Sequence, residues 1–155
     1  MAPPRSTAQR VADARAVLEA NHADVWVASA SADGVAHLVP LSFAWDGQDV
    51  IIALEASSQT ARNIGSAARA RLGFGTTRDV VIVDTALVAQ VRAVDAADAR
   101  VARYAAQADW DPSALDERDR YVYLALRPER VQVWRESNEL AGRTVMRDGS
   151  WVDSK

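Results

Sequence analysis

The sequence predicts a mainly β fold with inserted helices (α+β), built as an antiparallel barrel that is closed or half-closed. Six or seven β-rich runs are joined by tight turns, several marked by Asp-Gly pairs. Closing such a sheet on itself removes exposed edges. Two main helical stretches are inserted between the strands, and the length of 155 residues fits one domain with one core.

Residues 1–6 read as a disordered N-terminus, so the domain is expected over 7–152. From Thr7 to Asn21 the apolar residues Val11, Ala14, Val17 and Leu18 recur at helical spacing, while Asp13, Arg15 and Glu19 fall on the opposite side. Asn21 is a reasonable stop. Val25–Ala30 and Val35–Trp45 flank Asp33-Gly34 and predict a hairpin; Asp46-Gly47 then leads into a third strand, Val50–Leu54. Pro40 cannot donate to a ladder, so its position needs a bulge or no inward partner.

Residues 58–69 read as a short helix with Ser57 or Ser58 as N-cap. Arg71–Phe74 is a strand. Val80–Val83 and Thr85–Val94 make one long bent strand or a pair. Asp95 is expected to cap a helix running to about Gln107, and Trp110–Ser113 is a loop leading into one helical turn. Tyr121–Leu126 is a strand that Pro128 interrupts and Arg130–Trp134 resumes. Val145-Met146 and Trp151-Val152 around Asp148-Gly149 suggest a last hairpin.

Composition narrows the function classes. Hydrophobic residues make up 49% and charged residues 25%, as in an ordinary globular protein. The absence of cysteine excludes disulfides, thiol catalysis and cysteine-held metal, and fits a reducing, cytoplasmic setting. No signal-like segment or membrane-length apolar run is present, so a soluble protein is expected. A net charge of −3 offers no general attraction to nucleic acid or to anionic membranes. Lys155 is the only lysine, so no internal lysine can serve as a Schiff-base or general-base residue. His22 and His37 are the only histidines and lack a nearby carboxylate cluster, which argues against a metal site.

Three segments could carry chemistry. The first is Ser57-Ser58-Gln59-Thr60-Ala61-Arg62-Asn63, where a strand hands over to a helix. Free N–H groups and the helix dipole attract anions there, hydroxyls add donors, and Arg62 supplies a fork that matches phosphate; a plain N-cap with a solvated arginine fits the same spacing. The second is His37-Leu38-Val39-Pro40-Leu41-Ser42, an apolar strand whose backbone could lie against a flat ring. The third surrounds Trp134, which could pack on a ring, in the core or at an interface. No nucleophile–base triad is legible, and Gly73-Phe74-Gly75 lacks the third glycine of a dinucleotide fingerprint.

In order and spacing, these segments resemble the pyridoxamine 5′-phosphate oxidase-like, flavin-binding split-barrel superfamily over about residues 7–152. The carriers are Asp24–Gly34, His37–Leu41 with Asp46-Gly47, and Ser58–Asn63; Val133–Arg135 and Gly142–Trp151 resemble an actinobacterial branch. The resemblance implies a six-stranded split barrel and a homodimer with cofactor clefts at its interface. It implies FMN or the deazaflavin coenzyme F420, with heme in some relatives. It also implies that Val39, Pro40, Leu41 and Ser42 lie along the ring and that Ser57, Ser58, Gln59, Thr60, Arg62 and Asn63 hold the phosphate.

Two departures qualify it. Many relatives carry lysine where this chain has Thr60. The arginine–histidine pair that follows the tryptophan in true pyridoxamine phosphate oxidases is missing from Arg135–Gly142. The expected activity is therefore hydride transfer between FMN or F420 and a small organic substrate, without oxidation of pyridoxine phosphate. The alternative is a non-enzymatic flavin or heme carrier or sensor.

Overall fold

The computed structural model describes residues 1–95 and 97–152. In chain order the elements are α1 (Thr7–Glu19), β1 (Asp24–Ala30), β2 (Ala36–Ser42), β3 (Ala44–Trp45), β4 (Val50–Glu55), α2 (Gln59–Ala67) and β5 (Arg69–Thr76). They continue with β6 (Asp79–Arg92), α3 (Ala99–Gln107), β7 (Tyr121–Trp134), β8 (Thr144–Arg147) and β9 (Ser150–Trp151). The main sheet runs β2-β1-β5-β6-β7-β4-β3, antiparallel throughout, and the β8–β9 hairpin pairs onto β7.

Curling of this sheet produces the split barrel. β2 pairs with β1, whereas β3, one residue further on, pairs with β4. The chain changes partner at Phe43, which is 1% exposed and meets Phe74 edge-to-face at 5.0 Å. Burying a side chain of this size is worth roughly 1.5–3 kcal/mol, enough to pin the corner. Beyond the corner β2 and β4 stand side by side without a ladder, and this gap is the split.

The count of strands exceeds expectation because β3 is a two-residue continuation past the corner and β8–β9 are counted separately. The segment around Val80–Val94 is one bent strand, with register shifts at Asp84/Thr85 and Leu87/Ala89. Pro128 does not end its strand: the register passes from Arg130 to Pro128, leaving Glu129 as the extra residue of a bulge. Pro40 sits opposite Trp26 in an unbroken register on an edge strand, where a missing N–H costs nothing if it faces outward.

Two other expectations change. Asp95 is consumed by turns, its N–H donating to Arg92 O and its C=O accepting from Asp98 N–H. Asp98 is the N-cap of α3, its carboxylate accepting from Arg100 N–H. Residues 1–6 are not simply a loose tail. Ser6 caps α1 in a capping box with Gln9, and the Arg5 side chain is 9% exposed, its guanidinium bonded to Glu139, Asp13 and Asp79.

The main core lies between the curled sheet and helices α1 and α2, with Leu18, Val27, Phe43, Ile52, Ile64, Leu72 and Val83 among its buried residues. A second cluster under α3 holds Tyr104, Tyr123 and Ile51. No helix among the described residues is long and apolar enough to cross a membrane.

Candidate functional site

The site sits at one end of the split, where β4 hands over to α2. Ser58 is the N-cap, with extended backbone and its Oγ accepting from Ala61 N–H at 3.2 Å. That leaves the Gln59 and Thr60 N–H groups without a partner among the described residues, at the positive end of the helix. Arg62 folds back over this end: Nη1 donates to Ser57 O at 2.8 Å and Nη2 to Gln59 Oε1 at 2.9 Å. Arg62 has no carboxylate partner among the described residues, so its charge is unneutralised.

Side-chain amides fix the helix to the sheet. Gln59 Nε2 donates to Asn63 Oδ1 at 2.7 Å, and Asn63 Nδ2 donates to Ser29 Oγ at 3.1 Å. Ser29 stands directly across from His37 in the β1–β2 ladder. The structure thus gathers Ser57, Ser58, Gln59, Arg62 and Asn63 with His37 and Ser29. Ser29 was missed in sequence because a serine in a β-rich run carries no signal of its own; its cross-strand register and its amide partner reveal it.

Other expected site residues are placed differently. Thr60 is 3% exposed, so most of the residue is packed within the first turn. Val39 and Leu41 alternate toward the core and pack against it, as period-two alternation requires. Ser42 lies at the far end of β2, donating to Asp24 Oδ1 at 3.4 Å. A ring laid along β2 would therefore meet its unpaired backbone edge, together with exposed Pro40, and not the side chains of Val39 and Leu41.

Trp134 is not brought to this site within one chain. β7 begins at Tyr121, paired with Glu55 beside α2, and ends at Trp134, paired with Val80. The fourteen residues of β7 trace about 40 Å of chain. Trp134 is half-buried, with the Arg143 guanidinium 5.7 Å from its ring centre.

On the outward face of the sheet, Trp26 and Leu38 are 50% and 60% exposed. The same face holds an open groove of about 580 Å³ floored by Ala28 and Ala30 and edged by Ser29, Arg69 and Arg71. The Asp84 carboxylate crosses this face between Arg71 and Arg130, at 2.6 and 2.8 Å. Hydrogen bonds from those two arginines hold it below the usual carboxylate range against the opposing effect of burial. No group of three or more potential metal ligands occurs among the described residues.

Comparison with known proteins bears on the whole arrangement. No curated protein matches the chain. Among solved structures, an F420 reductase is 19% identical, with 76% of this chain and 94% of that one covered at a TM-score of 0.62. A heme-binding protein from Mycobacterium smegmatis is 17% identical over 90% of this chain and 57% of that one, at 0.64. HutZ, a heme storage protein from Vibrio cholerae, is 13% identical over 83% and 95%, at 0.62. At such identities these likenesses show the fold alone. The family model for pyridoxamine 5′-phosphate oxidase matches residues 12–135. With most of its length matched and the split barrel in place, the chain belongs to the pyridoxamine 5′-phosphate oxidase family.

Proposed function

We propose that this protein is an oxidoreductase that holds FMN or coenzyme F420 by its phosphate at the start of α2. The observation that carries the reading is Arg62: among the described residues its guanidinium has no carboxylate partner, and it is held over a helix start whose first two N–H groups are unpartnered. The residues fit a phosphate-bearing group without the lysine that many relatives place at Thr60. When bound, the cofactor's ring supplies the hydride chemistry. The chain's own part is to bind and orient: Arg62 and the α2 N–H groups hold the anion, the Gln59–Asn63–Ser29 bonds fix the helix, and the free edge of β2 offers backbone donors and acceptors to a ring in the split.

The working unit in this reading is a homodimer. Within one chain Trp134 stands at the other end of β7 from Arg62, and in this reading a second copy seated on the exposed Trp26–Leu38 face supplies its own Trp134 to the ligand. Arg135–Gly142, which lacks the arginine–histidine pair, instead contributes Glu139 to the Arg5 ion pairs. Oxidation of pyridoxine phosphate is accordingly not expected. The carrier alternative, with flavin or heme, is favoured by the two heme-associated neighbours and by His37 beside Ser29.

Titration with FMN, F420 and heme separates these readings. The proposal expects saturable quenching of FMN or F420 fluorescence. Binding of heme alone, with a strong absorbance band near the blue edge of the visible, would replace it with the carrier reading.

A further inference from the structure

A second, smaller cavity lies at a different place in the fold, where the β8–β9 hairpin folds against the β3–β4 turn. Its volume is about 160 Å³, and its walls are Trp45, Trp151, Met146 and Pro128, with Arg127 and Gln48 at its polar side. None of these residues belongs to the site proposed above.

Arg127 is the unusual member. Its Nε donates to Asp49 Oδ1 at 2.9 Å and its Nη2 to Asp49 Oδ2 at 3.2 Å. Asp49 is 1% exposed, so this side-on pair is a rigid anchor. It leaves Nη1 with no hydrogen-bond partner among the described residues. A guanidinium held by two of its nitrogens with the third uncommitted is pre-organised to accept an anion. The other carboxylate near Arg127 is Asp46, whose Oδ1 already accepts from Gln48 and Asp49 N–H groups at 2.9 and 2.7 Å. On the other side Arg15 lies 5.2 Å from the centre of the Trp151 ring and has no carboxylate partner among the described residues.

Two tryptophans and a thioether make surfaces for a flat ring. The volume admits roughly one ring with a short substituent, below the usual range of drug-sized pockets. We infer that the cavity between Trp45, Trp151 and Arg127 is a binding site for a small aromatic carboxylate, its ring against the indoles and its carboxylate on Arg127 Nη1. The site is independent of cofactor binding at α2.

The test uses the five tryptophans as reporters. In ¹H–¹⁵N spectra of the full chain, benzoate added to about 20 mM should shift the indole N–H signals of Trp45 and Trp151 saturably and leave those of Trp26 and Trp110 in place. Benzyl alcohol, which keeps the ring and lacks the charge, should shift them at least about fivefold more weakly, as should benzoate with Arg127→Lys, which keeps Asp49's partner and loses the fork. Unmoved Trp45 and Trp151 signals, or an equal response to benzyl alcohol, overturns the site. These wild-type titrations decide the matter even if the variant does not fold.

Discussion

Asn63 Nδ2 donates to Ser29 Oγ at 3.1 Å, joining the middle of α2 to the end of β1. Asn63 is 4% exposed and also accepts from Gln59, so one buried amide sets where the helix start stands relative to the split. A buried amide with both ends bonded is costly to leave half-paired. Ser29→Ala should therefore weaken cofactor binding and cost about 1–2 kcal/mol of stability. Urea unfolding and a cofactor titration check both; an unchanged dissociation constant would mean that α2 is positioned by packing alone.

A second prediction concerns pH. Hydrogen bonds from the Arg5 side chain, reinforced by the backbone N–H groups of Arg5 and Arg135, pull the Glu139 carboxyl from 4.5 down to about 2, against the opposing effect of burial. A carboxylate depressed on folding adds stability that is full above its unfolded value and is lost as pH falls through the folded one. Thermal stability should thus decline between about pH 4.5 and pH 2, and Arg5→Ala should flatten that decline. At neutral pH the same change leaves Glu139 buried without its main partner and should cost about 3 kcal/mol. Melting curves of both proteins across this range supply the check, with parallel pH profiles as the opposing result.

The third prediction addresses assembly. Trp26 is 50% exposed and Leu38 60% on the outward face, with Pro40 across from Trp26. Light scattering should give twice the chain mass, and Trp26→Glu should shift the protein toward the single chain while weakening cofactor binding. A wild-type chain that scatters as a monomer would remove the second copy, and with it the route by which Trp134 reaches the ligand.

A fourth prediction concerns substrate. Purified protein supplied with FMN should not oxidise pyridoxine 5′-phosphate, because the stretch from Arg135 to Gly142 is committed to a 3-10 turn and to the Glu139 ion pairs. Turnover measured by peroxide release would show that other residues substitute for the missing pair.

The strands and the start of α2 were legible because alternation, Asp-Gly turns and a serine N-cap are local signals. Ser58 is the cap, and the hairpin register places Asp33-Gly34 in the turn as the dipeptide requires. What the sequence concealed depends on long-range partners. Arg5 looked like tail until Glu139, more than a hundred residues later, gave it a partner. The burial of Thr60 depends on how α2 packs, which no local signal shows. Asp95 looked like a cap because Asp98, three residues on, is an equally good one, and only the turns between them distinguish the two. Trp134 could be joined to the site in sequence, but its place at the other end of β7 needs the folded register.

Arg62 is the proposed grip on a phosphate at the start of α2. The most direct measurement is the dissociation constant of FMN and F420 for the wild-type protein and for Arg62→Ala, with riboflavin, which lacks the phosphate, as control. The expected result is a loss of about 1–3 kcal/mol for the tighter of the two cofactors, roughly five- to 150-fold, with riboflavin binding equally weakly to both proteins. Equal affinity of wild type and Arg62→Ala for the phosphate-bearing cofactor would contradict the account and return the start of α2 to an ordinary capped helix.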